Sequence, residues 1–329
     1  QYDERYVDHG KYIDPLTQKP VESADPNMIA SGDTKLSIND RKTFRNNNFL
    51  VLGGAGTGKS RFVIKPNLLQ ENCSYVVTDP SGEIIVSLGK VLLKDGYDIK
   101  IFNLSNMAHS NTYNPFKYIR DEAGVLMVID CLIKNTTGKN EKGDQFFTNS
   151  EKLLYSACIF YLIDFETSES RKNFSRVMDM INMSQVDENN PSAKSELDLM
   201  FEQIDQTSLA AKYYKAFKQA AGKTLKSIII SCVVRLQSFM TPQVARLTGS
   251  DDIDLGSIGD KKTILFIITP QADRTFAFLA SMLYSQLFET LYHKGEMQKL
   301  KTGSERLKYH VRCLMDEFAN IGEIPDFPS

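Results

Sequence analysis

Apolar residues occur as short unbroken runs at both ends of the chain and at helical spacing through its middle. The run Phe49-Leu50-Val51-Leu52 predicts a buried strand, as do residues 74–78 and 98–103. Between the last two, residues 84–93 alternate at helical period and predict an amphipathic helix. Strand, helix, strand, helix, strand in succession implies a parallel sheet with crossover helices. Residues 262–269 form a continuous apolar run suited to a strand buried on both faces. A long helix is expected over residues 275–292, with Phe276, Leu279, Leu283, Leu287 and Leu291 on one stripe, and residues 309–315 read as a last strand.

From Asp121 the texture changes. Val125, Leu126, Val128, Ile129 and Leu132 mark a helix, and a polar loop runs over residues 136–143. Phe146, Leu153, Leu154, Ala157 and Tyr161 mark a longer helix, and residues 174–183, 193–204 and 208–221 continue helically. No strand is expected between 121 and 249. The expected fold is therefore α/β, with residues 1–120 and 250–329 forming one domain and 121–249 an inserted all-helical domain. The first 48 residues read as polar and irregular, with turn signals at Asp14-Pro15, Lys19-Pro20 and Asp25-Pro26 and a short strand at 35–38.

The 329 residues are 42% hydrophobic and carry a net charge of −2, so nucleic-acid contact, if present, is local. One local candidate exists. From 206 to 250 there is no acid, while Lys212, Lys215, Lys218, Lys223, Lys226, Arg235 and Arg246 interleave with Tyr213, Tyr214 and Phe217. Lys212, Lys215 and Lys218 read either as a solvated face over packed aromatics or as a phosphate-backbone contact. The preceding segment, with Asp187, Glu188, Glu196, Asp198 and Glu202, is acidic. Cys73, Cys131, Cys158, Cys232 and Cys313 are scattered and read as reduced core residues. His9, His109, His293 and His310 are mutually distant and read as surface or strand-edge residues, so they suggest no metal site. No apolar run approaches bilayer length. The chain starts at Gln1 and stops just beyond an acidic motif, which reads as a piece of something longer.

The run at 49–52 enters Gly53-Gly54-Ala55-Gly56-Thr57-Gly58-Lys59-Ser60, the Walker A spacing. Glycines let backbone N–H groups approach a phosphate, and the helix that follows presents its positive end to the anion. Lys59 is the expected partner of the β and γ phosphates, and Ser60 that of Mg²⁺. Asp79-Pro80-Ser81-Gly82-Glu83 fits a type I turn, but Asp79 or Glu83 also falls where α/β ligand sites lie. The last strand ends in Asp316-Glu317. Asp316 is the candidate for the metal shell and Glu317 for orienting and deprotonating water, which favours a hydrolase over a nucleotide kinase.

With its continuation Asp316-Glu317-Phe318-Ala319-Asn320-Ile321-Gly322, the chain resembles the type IV coupling proteins, the TraG-like and TraD-like ATPases of conjugation and type IV secretion. The resemblance extends to Lys65-Pro66-Asn67-Leu68-Leu69, Thr78-Asp79-Pro80-Ser81-Gly82-Glu83, Tyr113-Asn114-Pro115-Phe116 and Asp144-Gln145-Phe146-Phe147. It implies a RecA-like P-loop NTPase sheet interrupted by an all-α domain. It also implies ATP and Mg²⁺ as cofactors and a homo-hexamer anchored by N-terminal membrane helices at the cytoplasmic face of the inner membrane. The implied partners are DNA with its relaxase, or secreted proteins, and the secretion channel. Ser81 stands where the family usually has Lys. The family's sensor glutamine and trans-acting arginine are expected beyond Ser329, and the membrane helices before Gln1, so this piece is expected to be soluble, monomeric and weakly hydrolytic. The alternatives are another hexameric DNA pump, FtsK-like or HerA-like, and a recruitment scaffold that hydrolyses nothing. The inserted helices and the Asp-Glu-Phe-Ala-Asn stretch favour the coupling reading.

Overall fold

The computed structural model describes residues 11–13, 20–22, 27–32, 34–39, 44, 46–54, 56–137, 145–184, 193–221, 224–270, 275–325 and 327. Outside them lie Ala55, Lys19, the Asp14-Pro15 and Asp25-Pro26 turn signals, residues 138–144 of the polar loop, His9, Asp187, Glu188 and Lys223. The chain divides into two compact units.

The first unit comprises Gln1–Asn103, Asp254–Gln271 and Glu289–Phe318. Its sheet has four parallel strands: β5 (Ser74–Thr78), β6 (Asp98–Asn103), β7 (Thr263–Ile268) and β8 (Val311–Met315), in the order β6-β7-β5-β8. The two inner strands are buried throughout, which is why they read as unbroken apolar runs. The helix Glu83–Lys94 joins β5 to β6 across β7. It buries Ile84 and Leu92 in a core shared with Tyr75, Val77, Ile264 and Phe266. The carboxyl ends of β5 and β8 are in register, Thr78 opposite Met315, so Asp79 and Asp316 leave the sheet side by side. The early residues hold two short antiparallel hairpins, β1 (Lys11–Ile13) with β2 (Pro20–Glu22) and β3 (Asn27–Ser31) with β4 (Thr34–Ser37).

Two sequence expectations fail. The first 48 residues, expected to be irregular apart from a strand at 35–38, hold the antiparallel pairs β1–β2 and β3–β4, since backbone pairing across a turn needs no apolar run. Residues 49–52 form no strand; Phe49, Leu50, Val51 and Leu52 are 45%, 83%, 44% and 84% exposed. They pair with no ladder, and among the described strands β8 forms an edge of the sheet. Local apolar character raises strand propensity, but a strand also needs a partner edge, and the tertiary arrangement decides that.

The second unit comprises Leu104–Ile253, Ala272–Phe288 and Ala319–Ser329, and among its described residues it is helical. Side-chain caps start its helices: Asp121 accepts from Gly124 N at 2.9 Å, Asn173 from Arg176 N at 3.0 Å, and Ser195 with Asp198 forms a capping box. Val128, Ile129, Tyr155, Cys158, Ile181 and Cys232 are fully buried in its core. The segment carrying Tyr113-Asn114-Pro115-Phe116 is stitched to the segment at 251–252. Thr112 Oγ1 donates to Asp252 at 2.7 Å, Asn114 N to Asp251 at 3.1 Å, and Tyr118 OH to Asp251 at 2.5 Å. Gln286 Nε2 adds a bond to the Pro115 carbonyl at 2.9 Å. Among the described residues no single helix is long and apolar enough to cross a membrane. The bent pair Leu225–Met240 and Pro242–Gly249 has the composition of a broken span, yet it buries Ile228, Cys232, Leu236, Phe239, Val244 and Leu247 in this core.

Candidate nucleotide site

The glycine-rich loop lies in the first unit with Asp316 and Glu317. Gly56 and Gly58 have φ of +73° and +85°, a region side chains rarely adopt. A Cβ at Gly58 would fall 2.5 Å from the Phe62 ring, and one at Gly53 2.6 Å from Thr57 Oγ1. The loop closes on itself: Thr57 Oγ1 donates to the Gly54 carbonyl at 2.9 Å, and Lys59 Nζ donates to the Gly53 and Gly54 carbonyls at 2.8 and 2.9 Å.

The helix begins at Lys59, with Phe62 N donating to the Gly58 carbonyl at 2.8 Å. Its first turns are wide, and Lys65 N–H reaches back to the Ser60 carbonyl. Pro66 has no N–H to give, so the ladder widens just before it, and the helix ends at Leu68. Asn67 holds this helix in place by bracketing one residue of β3: it accepts from Ile29 N at 2.9 Å and donates to the Ile29 carbonyl at 2.8 Å. The sequence marked Asn67 only as part of a resemblance; its role depends on a partner far away in the chain.

The Ser60 hydroxyl donates to Asp316 Oδ2, bringing the start of the helix and the end of β8 together. A hydroxyl and a carboxylate at one point form a hard-oxygen donor set suited to Mg²⁺. Among the described residues no cluster of three or more His, Cys, Asp or Glu able to hold a metal occurs. Glu317 follows with φ of +48°, uncommon for a residue with a side chain, and its N–H donates to Asp316 Oδ1 at 3.1 Å.

Asp79 closes the turn its sequence predicts and caps the helix that follows. Gly82 N donates to its carbonyl at 3.0 Å, closing a turn, and its carboxylate accepts from Ile85 N at 2.9 Å at the start of the helix Glu83–Lys94. Burial pushes its carboxyl up, and the Asp316 charge pushes it further, against the lowering effect of the helix N–H groups. Glu83 is exposed and paired with Lys65 at 2.5 Å, and the hydrogen bond from Lys65 holds it below the usual carboxylate range.

Lys212, Lys215 and Lys218 are all exposed on the helix Leu209–Ala221 of the second unit. Their spacing of three spreads them over about 120° of its circumference. Tyr214 and Phe217 are buried on the other side. Lys218 is paired with Asp198 at 2.9 Å. Burial raises the Asp198 carboxyl, but bonds from Lys218, Ser195 and Tyr214 outweigh it and hold the group at about 2.

The family model for type IV secretory system conjugative DNA transfer matches residues 12–329. Among solved structures, the unbound monoclinic form of the bacterial conjugative coupling protein TrwBdeltaN70 aligns at 13% identity and TM-score 0.50, over 82% of this chain and 62% of that one. Its trigonal form in complex with sulphate aligns at 14% identity and TM-score 0.51, over 82% and 63%. The plasmid coupling protein TrwB in complex with the non-hydrolysable GTP analogue GDPNP gives the same identity, TM-score and coverage. This chain thus spans 62–63% of the length of these structures, and at such identity the likeness is one of fold. No curated protein matches the sequence.

Proposed function

Because this chain belongs to the type IV secretory system conjugative DNA transfer family, we propose that it is the motor portion of a coupling protein. In this reading it hydrolyses ATP with Mg²⁺ to drive DNA and its relaxase, or secreted proteins, into the secretion channel. The observation that carries the reading is the bond from Ser60 to Asp316, which unites the Walker A helix with the acid pair. The cradle fits a phosphate ligand: Gly53 and Gly58 have no room for a Cβ, and Gly56 and Gly58 have the backbone freedom a tight anion-binding loop needs. That two TrwB structures of the same fold were solved in complex with sulphate and with the GTP analogue GDPNP supports a nucleotide-binding role for this chain.

When bound, Mg²⁺–ATP supplies the transferable phosphoryl group and a divalent charge. Gly53, Gly54, Ala55, Gly56, Thr57 and Gly58 hold the phosphates through their backbone, and Lys59 neutralises them. Ser60 and Asp316 hold the metal, and Glu317 orients the attacking water and takes its proton. The working assembly is a homo-hexamer of the full-length protein, membrane-anchored through N-terminal helices. Lys212 and Lys215, with Lys218, form a DNA-backbone contact.

The test is Lys59→Ala in the full-length protein. Losing a preorganised charge at the transferred group costs about 100-fold or more in turnover, and transfer between cells should fall with it. Wild-type turnover and transfer in that variant would sink the assignment.

A further inference from the structure

Within the first unit, the helix that carries Ser60 is fastened to β8 at two points. At its start the Ser60 hydroxyl donates to Asp316 Oδ2. At its end Asn67 Oδ1 accepts from Arg312 Nη1 at 3.4 Å. The two contacts are seven residues apart on the helix and four apart on the strand, in opposite order. Seven helical residues rise about 10.5 Å, and four strand residues rise about 13 Å. The helix therefore runs back along β8, antiparallel to it. Arg312, Leu314 and Asp316 recur at alternate positions and so share one face of the strand. Leu314, midway between the other two, packs against the core that holds Ile64 and Leu68 of the helix.

Asn67 is a fixed point for Arg312 to meet. Besides bracketing Ile29, its Nδ2 donates to the Val63 carbonyl at 2.7 Å, and its own carbonyl accepts from Tyr75 OH at 2.8 Å. Tyr75 on β5 stands directly opposite Arg312 on β8, so two neighbouring strands reach the same residue of the helix. Arg312 itself is poorly satisfied. It is 7% exposed, Nη1 has a neutral amide oxygen as its partner at a long distance, and Nη2 is buried with no hydrogen-bond partner among the described residues. Burial pushes the neighbouring Cys73 thiol up to about 11 and raises the Tyr75 hydroxyl as well, so neither supplies a negative charge at pH 7. A buried guanidinium in such surroundings costs free energy that an apolar side chain of similar volume would not. Holding the fold does not explain it; placing the helix does.

We propose that Arg312 is a positioning residue for the pair Ser60 and Asp316: through Asn67 it sets where the phosphate helix lies along β8, and so how the Ser60 hydroxyl stands against the Asp316 carboxylate. The inference rests on the hydrolytic reading above, which gives that pair its Mg²⁺.

The test compares Arg312→Met and Arg312→Lys with wild type in the full-length protein, by thermal midpoint, steady-state ATP hydrolysis and Mg²⁺ titration. Arg312→Met keeps the apolar stem and removes the guanidinium, so its midpoint should equal or exceed that of wild type. Its kcat should fall about tenfold or more, as small misplacements of reacting groups do. The Mg²⁺ concentration that gives half the maximal rate should rise, while Kd for ATP without Mg²⁺ stays unchanged. Arg312→Lys restores a charged donor and should recover part of the lost rate, with a Mg²⁺ requirement between the other two. Wild-type kcat and Mg²⁺ dependence in Arg312→Met would overturn the proposal. A lower midpoint with unchanged Mg²⁺ dependence is the mark of a merely structural role and overturns it too. Should Arg312→Met not fold, wild-type kcat and Mg²⁺ dependence in Arg312→Lys would do the same. If wild type does not hydrolyse ATP, or Lys59→Ala hydrolyses it as wild type does, the reading above falls and this inference with it. Hydrolysis lost in Lys59→Ala but kept in Arg312→Met overturns this inference alone.

Discussion

Asp79 illustrates how two requirements meet on one side chain. As a cap it satisfies helix N–H groups, which favours the ionised form; burial and the neighbouring Asp316 charge favour the neutral one, and the latter prevail. For an acid whose folded pKa is raised, the folded state binds its proton more tightly than the unfolded state does. Its ionisation therefore lowers stability as pH rises from the ordinary aspartate range, and protonation restores it. Asp79→Asn keeps an acceptor for Ile85 N and removes the charge, so stability at pH 7 should be equal or higher. Asp79→Ala loses the cap and should cost about 1 kcal/mol. Urea denaturation of the three proteins between pH 4 and 7 checks this, and a large loss in Asp79→Asn at pH 7 would show that the ionised carboxylate stabilises the fold.

Among the elements, the helices Glu122–Thr136, Gln145–Phe165 and Leu225–Leu236 share a buried ion pair. Arg235 Nε donates to Glu151 at 2.7 Å, and Arg235 Nη1 donates to Thr137 at 2.9 Å, with Glu151 1% and Arg235 13% exposed at the side chain. Ser231 donates to the other Glu151 oxygen. Removing one partner strands a buried charge, so Arg235→Met should destabilise the second unit by about 3–5 kcal/mol. Joint replacement with Glu151→Leu should recover much of that stability, as read by denaturant midpoints. The lysines of the helix Leu209–Ala221 carry the proposed DNA contact, which has its own test. Changing Lys212, Lys215 and Lys218 together to Glu should weaken single-stranded DNA binding. The slope of log affinity against log salt should flatten by about 0.7 for each phosphate that the protein no longer neutralises. Because Lys218 is already paired with Asp198, the change should match two phosphates rather than three. Binding by the variant unchanged from wild type at both low and high salt would return this face to the solvated reading.

At the scale of the molecule, what the chain revealed and what it hid follow from the range of the interactions. β5 and β7 were legible because strands buried on both faces are dominated by apolar residues, here Tyr75, Val76 and Val77 and the run from Ile264 to Ile268. The tight glycine-rich turn was legible because left-handed backbone, as at Gly56 and Gly58, favours glycine. Phe49–Leu52 misled, since apolar composition raises strand propensity without specifying a partner, and these residues pair with no ladder. The role of Asn67 stayed hidden because its amide reads a backbone segment distant in sequence, and nothing local distinguishes it from other asparagines. The same division yields a test on the whole chain. Every residue assigned to nucleotide lies in the first unit, and the second has its own core and buried ion pair. Two such units need not melt together. Calorimetry should therefore show two transitions. Mg²⁺–nucleotide at a hundred times its Kd should stabilise the first unit by about 2.7 kcal/mol, raising one transition, while Arg235→Met lowers the other. A single transition moved equally by nucleotide and by Arg235→Met would mean that the units fold as one, and that the helical insertion contributes to the stability of the nucleotide site itself.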